Sequence, residues 1–298
     1  LWPFHRSQAS RWQGSRRQNQ RTPAPPSPAG WKRRGTATSR VAIALALLAA
    51  LAGPGALRAA SAPTLEGRVG AVVSDDPTAT RVGIDLLARG GNAVDAAVAT
   101  ALALAVVFPE AGNLGGGGFA VLRDGETLAA LDFREVAPAG ATACMYLDAN
   151  GEPVPDASLV GPLAAGVPGS PAGLWELHRK FGRMPWKQVV APAVRLAEDG
   201  FVVGSDLSER LGSKAAGLLR FPETAALWFP DGKPVAPGTR LRQPELAATL
   251  RAYAEKGPEA IASGPVAAQI EEAFSRHGGI LRASDLAAYR PEWREPLR

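Results

Sequence analysis

The residues best suited to chemistry lie in the run Asp132-Phe133-Arg134-Glu135-Val136-Ala137-Pro138, where charged side chains interrupt the end of an apolar strand pattern. An arginine at a strand end can hold a carboxylate through two parallel N–H···O bonds, a geometry that lysine does not reproduce. The same arginine could equally serve a structural ion pair with Asp132, Glu135 or another acid, because arginines near strand ends commonly find such partners. A second candidate is the glycine run Gly115-Gly116-Gly117-Gly118. A dinucleotide fingerprint must follow a strand and open a helix, so that the helix N-terminus meets the pyrophosphate. Here the glycines follow a helical pattern and open a strand, so they read as a place where backbone approaches backbone closely, along a substrate cleft. Cys144 is the only cysteine, which excludes an intrachain disulfide and a cysteine-based zinc site; it is expected to pack as a small side chain. His5, His178 and His277 are dispersed and lack the spacing of a metal pair, so no metal site is expected.

The elements that must position these residues are readable from punctuation and periodicity. Residues 69–73 look like a short buried strand. Asp75-Asp76-Pro77 supplies an N-cap and a proline for the first turn of a helix that closes at Gly90-Gly91. Asn92 caps a second helix over 93–108, apolar almost all round and rich in alanine, which implies burial on several faces. A membrane span is excluded by its length and by Asp95 near its start. Two apolar runs, 119–123 and 127–133, flank Asp124-Gly125 and predict a β-hairpin. Further helices are expected from Ser170-Pro171 to Gly182, from Pro185-Trp186 to Gly200, and after Pro244 and Pro265, giving a mostly helical second half.

Charge divides the chain in two. Residues 1–62 hold ten of the 33 Lys and Arg residues and no acid, whereas the remaining 236 residues carry 23 basic and 28 acidic side chains. The formal net charge of +5 is therefore a property of the front stretch, and a nucleic-acid partner loses its main electrostatic support. Residues 1–40 read as a basic, disordered extension and n-region, and residues 41–62 as the apolar h-region and small-residue cleavage region of a secretory signal peptide. The apolar run is shorter than the roughly 20 residues a stable membrane span needs. Export to the periplasm or the extracellular space is expected, with no stable membrane span after cleavage.

Several segments, in order, resemble signatures of the γ-glutamyltranspeptidase (glutathione hydrolase) family: residues 90–97 (GGNAVDAA), 112–119 (GNLGGGGF), 132–138 (DFREVAP), 166–169 (GVPG), 192–201 (PAVRLAEDGF) and 285–289 (DLAAY). Residues 63–298 would then be part of the large subunit. The resemblance implies an N-terminal-nucleophile hydrolase, an α/β (α+β) protein with an αββα sandwich in the full-length parent, only partly represented here. It further implies a precursor that cuts itself and exposes a threonine at the start of a small subunit. That threonine attacks the γ-glutamyl carbonyl with its own α-amine as base, and the acyl-enzyme is resolved by water or by an amino-acid or peptide amine. The donors implied are glutathione and other γ-glutamyl compounds, and no cofactor is implied.

The family's substrate-binding arginine falls on Arg134, where it would grip the donor's α-carboxylate. The nucleophile is expected beyond Arg298, so Thr78, Thr80 and Thr100 are read as helix residues and Thr142 as a loop residue. Two enzyme rivals share the scaffold, a cephalosporin or glutaryl acylase and a poly-γ-glutamate-processing relative. A rival of another kind is a non-catalytic γ-glutamyl-binding remnant, which would leave the apolar faces of the second helix and of the hairpin without their sandwich partners.

Overall fold

A computed structural model of the chain describes residues 67 and 70–297. Residues 1–62, with the basic extension and the signal-peptide segment, lie outside the described residues. Helix α1, Pro77–Ala88, starts where Asp76 accepts hydrogen bonds from the backbone N–H groups of Thr78 and Ala79 at 2.7 and 3.1 Å. Helix α2, Ala93–Val107, packs on α1. The two approach so closely that a β-carbon on Gly83 of α1 would lie 2.3 Å from the Thr100 hydroxyl of α2. The expectation that α2 is buried on several faces holds: Val98, Ala99, Leu102, Ala103 and Val106 have no exposed surface. The helix does not present the uncovered apolar face that a sandwich without its other half would leave.

Asp95 explains how an acid can sit at the start of such a helix. Its side chain is fully buried, yet it completes a capping box with Asn92, the Asn92 N–H donating to Oδ2 at 2.8 Å. The same carboxylate accepts from the N–H groups of Arg183 at 3.0 Å and Met184 at 3.2 Å, and His178 Nε2 stands 3.3 Å away. Asn92 Nδ2 in turn donates to the Phe181 carbonyl at 2.6 Å. One carboxylate thereby joins the start of α2 to the connection between α3, Ser170–Phe181, and α4, Trp186–Asp199.

The hairpin pairs β1, Phe119–Asp124, with β2, Thr127–Asp132, in the register Phe119 to Asp132 and Asp124 to Thr127. Its two-residue loop is Gly125-Glu126, with only the glycine at positive φ (59°), so the turn is of the II′ kind, one residue later than the Asp-Gly pair suggested. Inward-facing Leu131 is buried in the helical core, whereas Phe119 and Val121 on the outer face are 62% and 72% exposed. The hairpin therefore does present the uncovered face that α2 lacks.

The chain continues through α5 (Ser205–Leu218), α6 (Pro222–Trp228), α7 (Pro244–Lys256), α8 (Glu259–Ala262), α9 (Gly264–Arg276) and α10 (Ala283–Ala288). The second half is mostly helical, with three short strands among its helices. Strands β3, Phe201–Val202, and β4, Arg240–Leu241, pair with each other, and β5, Glu292–Arg294, returns to lie antiparallel beside β2, giving the sheet order β1-β2-β5. Residues 70–73 form no strand: no ladder partner lies beside them among the described residues, and Val73 is 94% exposed; Val69 lies outside the described residues. An apolar run can read as a buried strand, but only a neighbour with free backbone groups makes it one.

Replacing Asp95 by Ala removes a buried acceptor and strands three backbone donors. We expect a loss of about 3 kcal/mol or more in unfolding free energy, read from urea denaturation. A loss below about 1 kcal/mol would contradict this account of the α2 start.

Candidate functional site

Arg134 follows β2 by two residues, and its backbone is held from three directions. Phe133 extends the hairpin ladder by one step, donating to the Gly118 carbonyl at 2.9 Å and accepting from the Gly118 N–H at 3.2 Å. The Arg134 N–H donates to Asp132 Oδ1 at 3.0 Å, and the Arg134 carbonyl accepts from the Tyr289 hydroxyl at 2.9 Å. Two residues on, Val167 donates to the Val136 carbonyl at 2.8 Å, a bridge that brings residues 166–169 alongside.

The glycine run makes this crowding possible. A β-carbon on Gly117 would come within 2.5 Å of the Phe133 carbonyl oxygen, and one on Gly169 within 1.9 Å of the same atom and 2.5 Å of the Tyr289 hydroxyl. Gly173, one turn into α3, would meet the Phe133 ring at 2.2 Å. The Gly116 carbonyl also accepts from the N–H groups of Gly169 and Ser170 at 2.8 and 2.9 Å, satisfying donors that the first turn of α3 leaves free. Asn113 completes the loop, its Oδ1 accepting from the Gly116 N–H and from the Ser170 hydroxyl, each at 2.8 Å. The glycines thus act as close-approach residues, as their position between a helix and a strand suggests, and no helix begins at them that could meet a pyrophosphate.

The side chain of Arg134 is 62% exposed while its backbone is fixed. Its guanidinium lies over the exposed ring of Phe119, 5.7 Å from the centroid, and Nε stands 3.4 Å from Glu135 Oε2. That ion pair is long and solvated, and contributes little. Asp132, the other acid expected to neutralise Arg134, is committed elsewhere: its Oδ2 accepts from Arg294 Nε of β5 at 2.8 Å. The backbone N–H of Arg134 and the Arg294 guanidinium together hold the Asp132 carboxyl below its ordinary value of 3.8. Tyr289 is buried against carboxylates, and that burial, with Asp132, Glu135 and Glu292 nearby, pushes its phenol up to about 12, so it remains a donor. Among the described residues the terminal nitrogens of Arg134 make no hydrogen bond.

Four of the six sequence signatures therefore converge on one residue. Segments 112–119, 132–138 and 166–169 and Tyr289 surround the Arg134 backbone, while 90–97 belongs to the α2 capping site and 192–201 runs through α4 into β3. Asp285 contributes indirectly, accepting from the Ala139 N–H at 3.0 Å while capping α10. Thr78 and Thr80 lie in α1, Thr100 lies in α2 and Thr142 in the loop after β2. Cys144 is exposed, not packed, because the loop that carries it runs over the surface. Sequence reasoning missed Arg294, whose three-residue strand is too short to show an alternation.

The fold is that of solved γ-glutamyltranspeptidases, of the N-terminal-nucleophile hydrolase class. The Helicobacter pylori γ-glutamyltranspeptidase superposes with a TM-score of 0.77 at 40% identity, over 79% of this chain and 68% of that one. The chain belongs to the gamma-glutamyltranspeptidase family, whose sequence profile matches residues 79–298. It is 45% identical over 236 residues to the glutathione hydrolase proenzyme of Escherichia coli (strain K12), covering 78% of this chain and 40% of that protein. It is also 39% identical over 240 residues to the acylase ACY 1 proenzyme of Pseudomonas sp. (strain V22), covering 78% of this chain and 43% of that protein. The chain thus spans under half the length of these curated relatives.

Gly169→Ala drives a methyl group into the Phe133 carbonyl and the Tyr289 hydroxyl. A destabilisation of about 3 kcal/mol is expected in denaturant titrations, and a fully tolerated substitution would show that the backbone packing around Phe133 is looser than described.

Proposed function

We propose that this chain forms the front part of the large subunit of an exported γ-glutamyltranspeptidase, and that Arg134 binds the α-carboxylate of the γ-glutamyl donor. The observation that carries the reading is the Arg134 side chain: backbone locked by Tyr289 and Asp132, guanidinium exposed, and the nearest strand acid already paired with Arg294. A planar fork held in this way suits a substrate that always presents a carboxylate at one end, because orientation of the donor is then settled before attack. The clamp leaves the γ-carbonyl free to face a nucleophile supplied from outside residues 1–298.

In this reading the nucleophile is the N-terminal threonine of a small subunit released by self-cleavage of a proenzyme. Its hydroxyl attacks the γ-glutamyl carbonyl, its α-amine takes the proton, and the γ-glutamyl-threonine ester is resolved by water or by an amino-acid or peptide amine. Glutathione is the donor we assign first, in keeping with the likeness to the glutathione hydrolase proenzyme of E. coli. Residues 41–62 act as the export signal, so the enzyme works in the periplasm or outside the cell. Needing neither metal nor cofactor, the chemistry rests on acyl transfer alone.

Likeness to an acylase keeps a second reading in view, in which the acyl group is glutaryl and has no α-amino acid head. A glutaryl group keeps the carboxylate and lacks only the α-amino group, so the ratio of kcat/KM on γ-glutamyl and glutaryl substrates separates the two. In the assembled two-subunit enzyme we expect kcat/KM of Arg134→Lys for glutathione to fall by about 100-fold or more, since a point charge does not replace the fork. An unchanged value on glutathione would sink the assigned role.

The 298-residue chain by itself is expected neither to cleave itself nor to turn over glutathione, as followed by gel mobility and by glutamate release. Detectable turnover would refute the assignment of the nucleophile to a separate segment.

A further inference from the structure

Carboxylates beside Arg134 compete with a substrate for its guanidinium, and Glu135 Oε2 already stands 3.4 Å from Nε. Asp132 lies two residues before Arg134, and its Oδ1 holds the Arg134 N–H at 3.0 Å. If Oδ2 were free, it would add a second uncommitted carboxylate near the guanidinium and compete with the donor. It is not free. Arg294, brought beside β2 by the three-residue strand β5, donates from Nε to Oδ2 at 2.8 Å. The Asp132 side chain is 18% exposed and that of Arg294 57%, so the bridge is covered on the carboxylate side and open to solvent on the guanidinium side.

Arg294 also sets the local charge. Its second contact is Glu292, with Nη2 3.0 Å from the carboxylate. Arg134 and Arg294 are the two cations facing three acids, Asp132, Glu135 and Glu292. Without Arg294 the excess of negative charge around Arg134 would double, and an anionic donor would meet it on approach.

We infer that Arg294 is a positioning residue for donor recognition: by occupying Asp132 it keeps the Arg134 guanidinium available to the substrate carboxylate. This rests on the reading of Arg134 given above. Arg294 does not touch the substrate; it acts through Asp132. Two consequences separate that role from simple reinforcement of the sheet. Loss of Arg294 should weaken donor binding and leave the chemical step largely intact, and the loss should disappear when Asp132 no longer carries a charge.

The test is steady-state kinetics of the assembled two-subunit enzyme with glutathione, on Arg294→Gln, Arg294→Lys, Asp132→Asn and the Asp132→Asn/Arg294→Gln double variant, beside Arg134→Lys. Arg294→Gln is expected to raise KM by about tenfold with kcat changed by less than about twofold. Arg294→Lys should restore most of the affinity, because a point charge is enough to occupy Asp132. The double variant should return KM to that of Asp132→Asn alone, a non-additivity that a purely structural role would not produce. If Arg294→Gln does not fold, the comparison of the double variant with Asp132→Asn still decides, since equal KM values support the inference and unequal ones overturn it. An unchanged KM in Arg294→Gln, with Arg134→Lys strongly impaired, would overturn the role of Arg294 and leave that of Arg134 standing. An unimpaired Arg134→Lys would remove the reading beneath both.

Discussion

Everything at the candidate site depends on one packing constraint: no β-carbon fits around the Phe133 carbonyl. Two glycines from different segments, Gly117 and Gly169, approach that oxygen at distances where a side chain could not exist, and Gly173 does the same for the Phe133 ring. Interiors are packed too densely for such a clash to be relieved by a small shift. Once those three positions are glycine, the loop after α2, the start of α3 and the end of β2 close on each other, and their free backbone groups pair. The rigidity that follows is delivered to the backbone of Arg134, not to its side chain. A binding group needs that combination, with a fixed root and a free tip, so that little conformational entropy is lost when a ligand docks.

The same economy appears at the other end of α2. A helix made almost wholly of alanine, valine and leucine has nothing in its sequence to fix its depth or rotation, because its hydrophobic faces are nearly equivalent. Asp95 supplies the missing specificity. Burying a carboxylate is costly unless its oxygens are saturated, and only one placement of the helix brings the N–H groups of Asn92, Arg183 and Met184 together on it. The polar contact is thus less a source of stability than a selector of register.

Much of this was legible in the residues, and the reason is local. Asp76-Pro77, Asn92 with Asp95, and Ser170-Pro171 are cap and first-turn chemistry, readable without knowing any neighbour. The hairpin also followed from its two apolar runs, with its turn displaced by one residue because the glycine, not the aspartate, takes the first loop position. What could not be read depends on distant partners. Residues 70–73 have strand composition but no strand beside them, and β5 has little composition to speak of but lies next to β2. Arg134 was visible as chemistry, yet its choice between ligand and ion pair was not. In the reading proposed above that choice turns on Arg294, 160 residues away, and sequence spacing carries no information about such a pairing.

The division of labour between Arg134 and its surroundings also bears on why a clamp of the proposed kind would be built at the end of a strand. A guanidinium exposed to water binds a carboxylate weakly, since both ions are well solvated and the pair is screened. Its value lies in geometry: two parallel bonds define a plane and an axis, and a γ-glutamyl chain held at its α-carboxylate then projects its scissile carbonyl a fixed distance away. For that distance to have meaning, the arginine's root must not move relative to the core. The Tyr289 hydroxyl, a donor that stays protonated because burial and nearby acids raise its pKa to about 12, secures the carbonyl side of that root, and Asp132 secures the amide side. Orientation of this kind does not lower the intrinsic barrier to acyl transfer. It converts an encounter between donor and nucleophile into an intramolecular alignment, and that gain is available only when the segment holding the donor and the segment holding the nucleophile share one rigid frame.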